Sequence, residues 1–166
     1  MRLNVGGTER MTRLAARLAF LPAGGGTVVN VTLSPHHGLA GMTHSSAARA
    51  AVEGYTRALA DEWAARGIAV IAVAAGHFDT ASLRKYPEPV RRTAARTVPL
   101  QRLGHEQEHA WLVALCCTPL GAALSGSVVT LDGARDNWFG PWPPPSLVTD
   151  GGEVPTEVRA PKPPGS

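Results

Sequence analysis

From Ala48 to Trp63, apolar side chains return at steps of four, three, four and four, through Ala48, Val52, Tyr55, Leu59 and Trp63. That is one face of a 3.6-residue helix. The opposite side carries Glu53, Arg57 and Asp61 at i, i+4 spacing, which predicts a solvated ladder of alternating charge. Gly67 follows Arg66, as where a chain leaves a helix through a left-handed residue with a cation in the last turn. The helix is therefore expected over His44 to Arg66. Ile68 to Ala75 holds no charged or polar side chain, which predicts a strand covered on both faces. A helix feeding such a strand is half of a βαβ unit.

The remaining pattern is arranged around this unit. Met11, Leu14, Ala15 and Leu18 form a short apolar helical stripe with Thr8 as its expected N-cap, and Pro22 to Gly26 breaks it. Thr27 to Thr32 is β-branched and reads as a strand. Ser34 to Met42 is a loop between that strand's carboxyl end and the long helix, the place where ligands sit in open α/β sheets. His77 to Gly104, with a short helix expected over Val90 to Arg96, has the length of a lid. Glu106 to Cys117 predicts a helix, and Ser127 to Leu131 a third strand. From Pro141 to Ser166, prolines, glycines and charges replace apolar periodicity, so this segment is expected to be a disordered tail behind a domain of residues 1–140. The order of elements predicts a parallel α/β sheet with right-handed crossovers.

Composition changes this picture little. The 166 residues suit one domain, with few aromatic residues and much alanine, so the core should be built from small side chains. The formal charge of +3 is spread along the chain, with neither a basic stripe nor a recognition motif, which disfavours nucleic acid as a partner. No apolar run approaches the ~20 residues of a membrane span, and the arginine-rich Arg10 to Phe20 lacks the continuous apolar core of a signal peptide. A cytoplasmic location is the expectation. The adjacent Cys116 and Cys117 suit neither a disulfide framework nor a zinc site and read as buried thiols.

Several stretches, in order, resemble the short-chain dehydrogenase/reductase family. LNVGGT, with Asn4, resembles the element that carries the family's active-site asparagine, and TVVNVT resembles its N-I-S-S strand. AVAAGHFDT resembles A-V-A-P-G-x-x-x-T, with Gly76 and Thr80 in the cofactor-contacting positions. VPLQRLGHEQEHAWLVALCC and the later TLDGA resemble the family's closing pattern. The resemblance covers nearly all of residues 1–138 and implies a Rossmann-like, doubly wound parallel sheet. It implies a truncated one, because nothing matches T-G-x-x-x-G-x-G, the turn that cradles the cofactor's pyrophosphate. Gly24 to Gly26 precedes a strand and is read as a turn.

The family's Y-x-x-x-K falls on Ser45 and Arg49, and its catalytic serine falls near Thr32 and Leu33. A serine hydroxyl is a far weaker acid than a phenol and arginine is permanently charged, which disfavours the family's usual alcohol chemistry. HSSAARAAV is similar to H-S-G-A-A-R-A-G-V of peroxisomal trans-2-enoyl-CoA reductases, and dienoyl-CoA reductases also have a serine there. The resemblance therefore implies an NADP- or NAD-dependent oxidoreductase acting on a small molecule, an enoyl thioester such as an acyl-CoA. Ser45 would be the oxyanion donor, Arg49 the ribose and charge support, Asn4 the water anchor and Thr32 the serine equivalent. Asn4, Arg49, Gly76 and Thr80 would contact the cofactor, and Phe78, Leu83 and Tyr86 would form the substrate lid. It also implies a homo-oligomer through the helix His44 to Arg66. Two alternatives stay open: a carbonyl or alcohol dehydrogenase, terpenoid alcohols included, and a non-catalytic remnant serving as an oligomerisation or binding module. In the family's strand order, Thr27 to Thr32 would be an unpaired edge.

Other motifs compete. His105-Glu106-Gln107-Glu108-His109 fits H-E-x-x-H but lacks a third ligand nearby, so it reads as an acidic first helical turn, with no metal expected. His36, His37 and His44 read as exposed loop histidines flanking the site, and Tyr55 as core. Tyr86 is the better replacement proton donor. Ser34 has no G-x-S-x-G elbow around it.

Overall fold

The computed structural model describes residues 1–137 except Pro35, His37 and Ala40. The expected tail, residues 138–140 and His37 lie outside the described residues. Helix α1 (Asn4–Ala15) runs on through a π-helical turn (Ala16–Phe20) into the short α2 (Leu21–Ala23), and Gly24, at φ 74°, ends it. Strand β1 (Gly26–Leu33), helix α3 (Thr43–Trp63, closed by a 3-10 turn at Ala64–Arg66) and strand β2 (Ile68–Ala75) follow. Helices α4 (Glu88–Arg96) and α5 (Glu106–Cys116) precede strand β3 (Val128–Leu131). The three strands are parallel in the order β1-β2-β3.

The organising unit is as the periodicity predicts. Gly67 takes φ 67° and turns the chain from α3 into β2, whose residues Ile68 to Ala74 are all buried. Alternation along β2 divides the core into two layers. Ile68 and Val70 pack with Ala16, Leu59, Ala60 and Trp63 on the α1/α3 face, with Tyr55 against them, and Ile71 and Val73 pack with Cys116 and Leu112 on the other. Helices thus cover both faces, the doubly wound arrangement. Among the described residues, β1 has a partner on one side only. Along its open side runs a groove of about 450 Å³ between Thr27 to Asn30 and α1.

Four expectations fail. Helix α1 begins before Thr8, whose hydroxyl donates to the Asn4 carbonyl at 2.6 Å from inside the helix, so Thr8 is not the N-cap. Met11, Leu14 and Leu18 face outward, while Thr12 and Ala16 are the buried positions. Small residues one turn apart let α1 lie close against α3, and the bulkier stripe is rotated away from that contact. The charge ladder on α3 is also interrupted: Arg57 and Asp61 are exposed but Glu53 is 7% exposed. Its end of the helix overhangs β1, whose Thr32 hydroxyl donates to it. Of the two thiols, Cys116 is in the core but Cys117 is exposed. None of the helices among the described residues is long and apolar enough to cross a membrane.

Candidate active site

The carboxyl ends of the strands are tied together across Gly76. Leu33, Ala75 and Leu131 lie in one row of the sheet, so the next residues are Ser34, Gly76 and Asp132. The Ser34 hydroxyl donates to Asp132, passing over the central strand, and the Asp136 amide donates to the same carboxylate oxygen at 2.8 Å. Only glycine fits beneath this clasp, because a Cβ at residue 76 would stand 2.5 Å from the Asp132 Cβ. The glycine expected to meet a cofactor thus also has a packing duty.

On the α3 face, the polar groups form a closed chain. The Thr32 hydroxyl donates to Glu53 Oε1 at 2.9 Å, the second Glu53 oxygen lies 3.2 Å from His36 Nδ1, and His36 Nε2 lies 2.9 Å from Thr130 Oγ1. Thr32 and Thr130 flank Ala74 in register, so this chain spans all three strands. The His36 amide also donates to Asp136 at 2.7 Å. His36 is exposed in its loop as expected, and its contacts also fasten the β1–α3 loop. Deeper on the same face, the Asn30 amide donates to Thr56 Oγ1 at 2.9 Å. A threonine hydroxyl has one hydrogen, and that of Thr32 is engaged by Glu53.

Ser45 and Arg49 are brought together one turn apart at the start of α3. Arg49 Nη1 donates to the Ser45 hydroxyl oxygen and, at 3.3 Å, to the Ser45 carbonyl. Ser45 is buried and Arg49 half-buried. Since arginine offers only donors, the Ser45 hydroxyl accepts and keeps its own hydrogen for another partner. Asn4 is exposed in the first turn of α1, and its carbonyl accepts from Thr8. His44 is exposed at the helix start.

The other face holds a cavity of about 470 Å³. Val31, Ala75, Gly76 and Phe78 line it from the sheet side, Thr80, Leu83 and Tyr86 from the lid, and Glu106 and His109 from α5. Five of the residues assigned to cofactor and lid, namely Gly76, Thr80, Phe78, Leu83 and Tyr86, thus share one wall. Asn4, Thr32, Ser45 and Arg49 are not among its lining residues. Tyr86 remains 57% exposed. Thr80 Oγ1 accepts from the Leu83 amide at 3.2 Å, and Phe78 pairs with Gly104 in an isolated parallel bridge, which anchors both ends of the lid.

Two histidines that border the cavity each keep a ring nitrogen sealed away from it. His77 Nδ1 and His109 Nε2 are buried with no hydrogen-bond partner among the described residues. A buried polar atom left unpaired costs roughly 1–3 kcal/mol. Burial, followed by the positive charge of Arg135, lowers the His77 pKa and holds the ring neutral, against a weaker pull from the Ala94 carbonyl and Asp132. The His109 ring stands edge-on to Phe78, 5.8 Å between centroids at 88°. Sequence reasoning passed over His77 and treated His109 as part of a metal-like motif. The available signal was a histidine two residues after a fully apolar strand, and another at the head of the apolar run Ala110 to Leu115.

Two other residues of this stretch, His105 and Glu108, hold the start of α5. His105 precedes α5, and its amide donates to Glu108 at 2.7 Å. Arg102 grips both Glu108 oxygens, at 2.6 and 2.9 Å, and with that amide holds the carboxyl at a pKa of about 2. Tyr55 packs in the α1/α3 core as expected.

The cavity suits the uncharged ring of a reduced nicotinamide: it is mainly apolar and has a glycine in its wall. The glycine cluster Gly24 to Gly26 leads into β1 and not into a helix, so it presents no helix N-terminus to a pyrophosphate.

With this geometry, comparison with known proteins is informative. The family model described as Enoyl-(Acyl carrier protein) reductase matches residues 1–134. The 3-oxoacyl-[acyl-carrier-protein] reductase FabG of Pseudomonas aeruginosa is 38% identical over 109 residues, 65% of this chain and 44% of the relative. The peroxisomal 2,4-dienoyl-CoA reductase of Pongo abelii is 34% identical over 137 residues, 80% of this chain and 47% of the relative. A solved structure assigned as a short-chain alcohol dehydrogenase from Sinorhizobium meliloti 1021 superposes with a TM-score of 0.74 at 27% identity, over 82% of this chain and 55% of that one. The chain spans about half the length of the curated relatives it matches. With its ordered motifs and doubly wound parallel sheet, the chain belongs to the short-chain dehydrogenase/reductase family.

Proposed function

We propose that the chain carries the substrate-side and nicotinamide-side half of an NAD(P)(H)-dependent oxidoreductase that reduces the carbon-carbon double bond of an enoyl thioester. The observation that carries this reading is the Ser45–Arg49 pair. Arg49 occupies an acceptor position of the Ser45 hydroxyl, so the hydroxyl hydrogen is free to donate to an oxygen on which charge develops. A bound reduced nicotinamide would supply hydride to the β-carbon. Ser45 donates to the enolate oxygen, Arg49 stabilises that charge and supports the cofactor ribose, and the α-carbon takes its proton from water anchored by Asn4. Thr32, with its hydrogen engaged by Glu53, serves to hold the β1 end in place. Gly76 and Thr80 meet the nicotinamide end, and Phe78, Leu83 and Tyr86 close over the acyl chain. Self-association through α3 accompanies this reading.

A second reading, reduction of a carbonyl, has support in the name of the FabG relative. Crotonyl-CoA and acetoacetyl-CoA separate the two when each is offered with NADPH or NADH. The proposal expects turnover of crotonyl-CoA, and a kcat lowered about 100-fold in Ser45→Ala with little change in KM, as for loss of one oxyanion donor. Turnover of acetoacetyl-CoA alone would replace the first reading with the second. Absence of turnover on both would overturn the enzymatic assignment for this chain.

A further inference from the structure

We infer that the basic cluster of the lid, Arg84, Lys85, Arg91 and Arg96, binds the phosphates of a nucleotide-borne thioester such as an acyl-CoA at the mouth of the α5-face cavity. The inference rests on reading this cavity as the substrate site of the oxidoreductase. It adds residues that recognise the carrier, where the Ser45–Arg49 pair and the cavity wall deal with the acyl group alone.

Residues 77–104 hold six Lys and Arg against two Asp and Glu, a local balance of +4 where the whole chain has +3. Two of the six are spent within the chain: Arg84 grips both oxygens of Asp79, at 3.1 and 3.3 Å, and Arg102 grips Glu108. Lys85 and Arg96 are exposed and make no ion pair among the described residues. The hydrogen bonds from Arg84 lower the Asp79 pKa, and the charge of half-buried Arg91 adds to that pull, so Arg91 stands beside the Arg84–Asp79 pair. Leu83 and Tyr86 line the cavity, which puts Arg84 and Lys85, between them, at its rim. Arg84 also feels the charge of Glu106 in the cavity wall. Helix α4, which carries Arg91 and Arg96, packs against this turn. An excess of positive charge around the opening of an apolar cavity draws in an anion whose other end is apolar. A coenzyme A thioester has that make-up, with an acyl chain and an uncharged pantetheine arm at one end and nucleotide phosphates at the other. Arginine forks and a lysine ammonium suit phosphate oxygens. Glu106, inside the wall, keeps the anionic end outside.

The test compares coenzyme A with pantetheine, its uncharged arm, by calorimetry on the purified chain. Coenzyme A is expected to bind about tenfold tighter at ~20 mM salt, and the preference to fall toward about twofold at ~0.3 M as surface charges are screened. Lys85→Ala and Arg96→Ala should each remove part of the preference. Lys85→Glu combined with Arg96→Glu should abolish it while pantetheine still binds, and Lys85→Arg should retain it. Arg17→Glu, a charge reversal on the exposed surface of α1, should leave it intact. Equal affinity for the two ligands, no binding of coenzyme A, a preference that survives the double reversal, or one lost as fully in Arg17→Glu would overturn the inference. Binding of an acidic acyl-carrier protein with no preference for coenzyme A would also overturn it, assigning the lid to a protein partner. Crotonyl-N-acetylcysteamine, an uncharged thioester, is offered in parallel with NADPH or NADH to probe the oxidoreductase reading. Coenzyme A preference without turnover of that thioester removes the reading and leaves the basic lid. Turnover without the preference does the reverse.

Discussion

On the α3 face of the sheet, Thr32, Glu53, His36 and Thr130 hand hydrogen bonds from strand to helix to loop to strand. On the α5 face, a few ångströms of backbone away, His77 and His109 each keep a buried ring nitrogen without a partner among the described residues. Both regions lie at the carboxyl end of the same three strands, and both bury polar side chains. The first has its hydrogen bonds completed within the chain and holds the loop and strand ends in register. The second is apolar, hollow and incomplete. A network that satisfies itself rigidifies; an apolar hollow without one leaves room for a ligand.

The largest effect is expected where the two regions share a support. Gly76→Val places a side chain against Asp132, where even a Cβ would approach to 2.5 Å. It should cost about 3 kcal/mol of stability by urea unfolding, as overpacking does. A loss below about 0.5 kcal/mol would show that the clasp yields easily.

Glu53→Ala and His109→Leu then set one region against the other. Removing Glu53 strands the Thr32 hydroxyl and the His36 ring, and should cost about 2 kcal/mol. Replacing His109 removes an orphaned atom from an apolar wall, and should be neutral or stabilising by up to about 1 kcal/mol. If both variants lost the same stability, the distinction between a completed and an uncompleted face would fall.

Smaller still is the pH dependence. The folded His77 pKa lies below its ordinary 6.5, so the unfolded chain binds the proton more readily. The associated stability is present above pH 6.5 and declines as pH falls through the lowered folded value. Glu108 acts in a more acidic window, from 4.5 down toward its folded value of about 2. Unfolding titrations of His77→Phe against the parent chain should lose the upper slope and retain the lower one. An unchanged upper slope would assign it elsewhere.

Much of this frame is legible in the sequence, because α3 and β2 obey single periods and meet at Gly67. The family motifs likewise locate Gly76, Thr80 and the lid, which share the cavity wall. What escapes is decided by contacts distant in sequence. Glu53 reads as solvated from its spacing to Arg57 and Asp61, yet partners from β1 and its loop bury it. Met11 and Leu18 read as core from their spacing, yet close approach to α3 selects Thr12 and Ala16. The Asp132 clasp joins residues 98 positions apart, beyond the reach of any local pattern. His77 and His109 are 32 positions apart by their numbering, and only folding brings both to one wall.

The most direct measurement is a titration of the 166-residue chain with reduced nicotinamide mononucleotide, followed by nicotinamide fluorescence and calorimetry. This probe carries the ring and ribose but needs no pyrophosphate cradle. The account predicts saturable binding with a Kd at or below about 1 mM, worth roughly −4 kcal/mol, weakened in Arg49→Ala. No saturation up to about 10 mM, more than 1 kcal/mol short of that affinity, would contradict the assignment of this cavity and of the Ser45–Arg49 pair to a nicotinamide-dependent reaction.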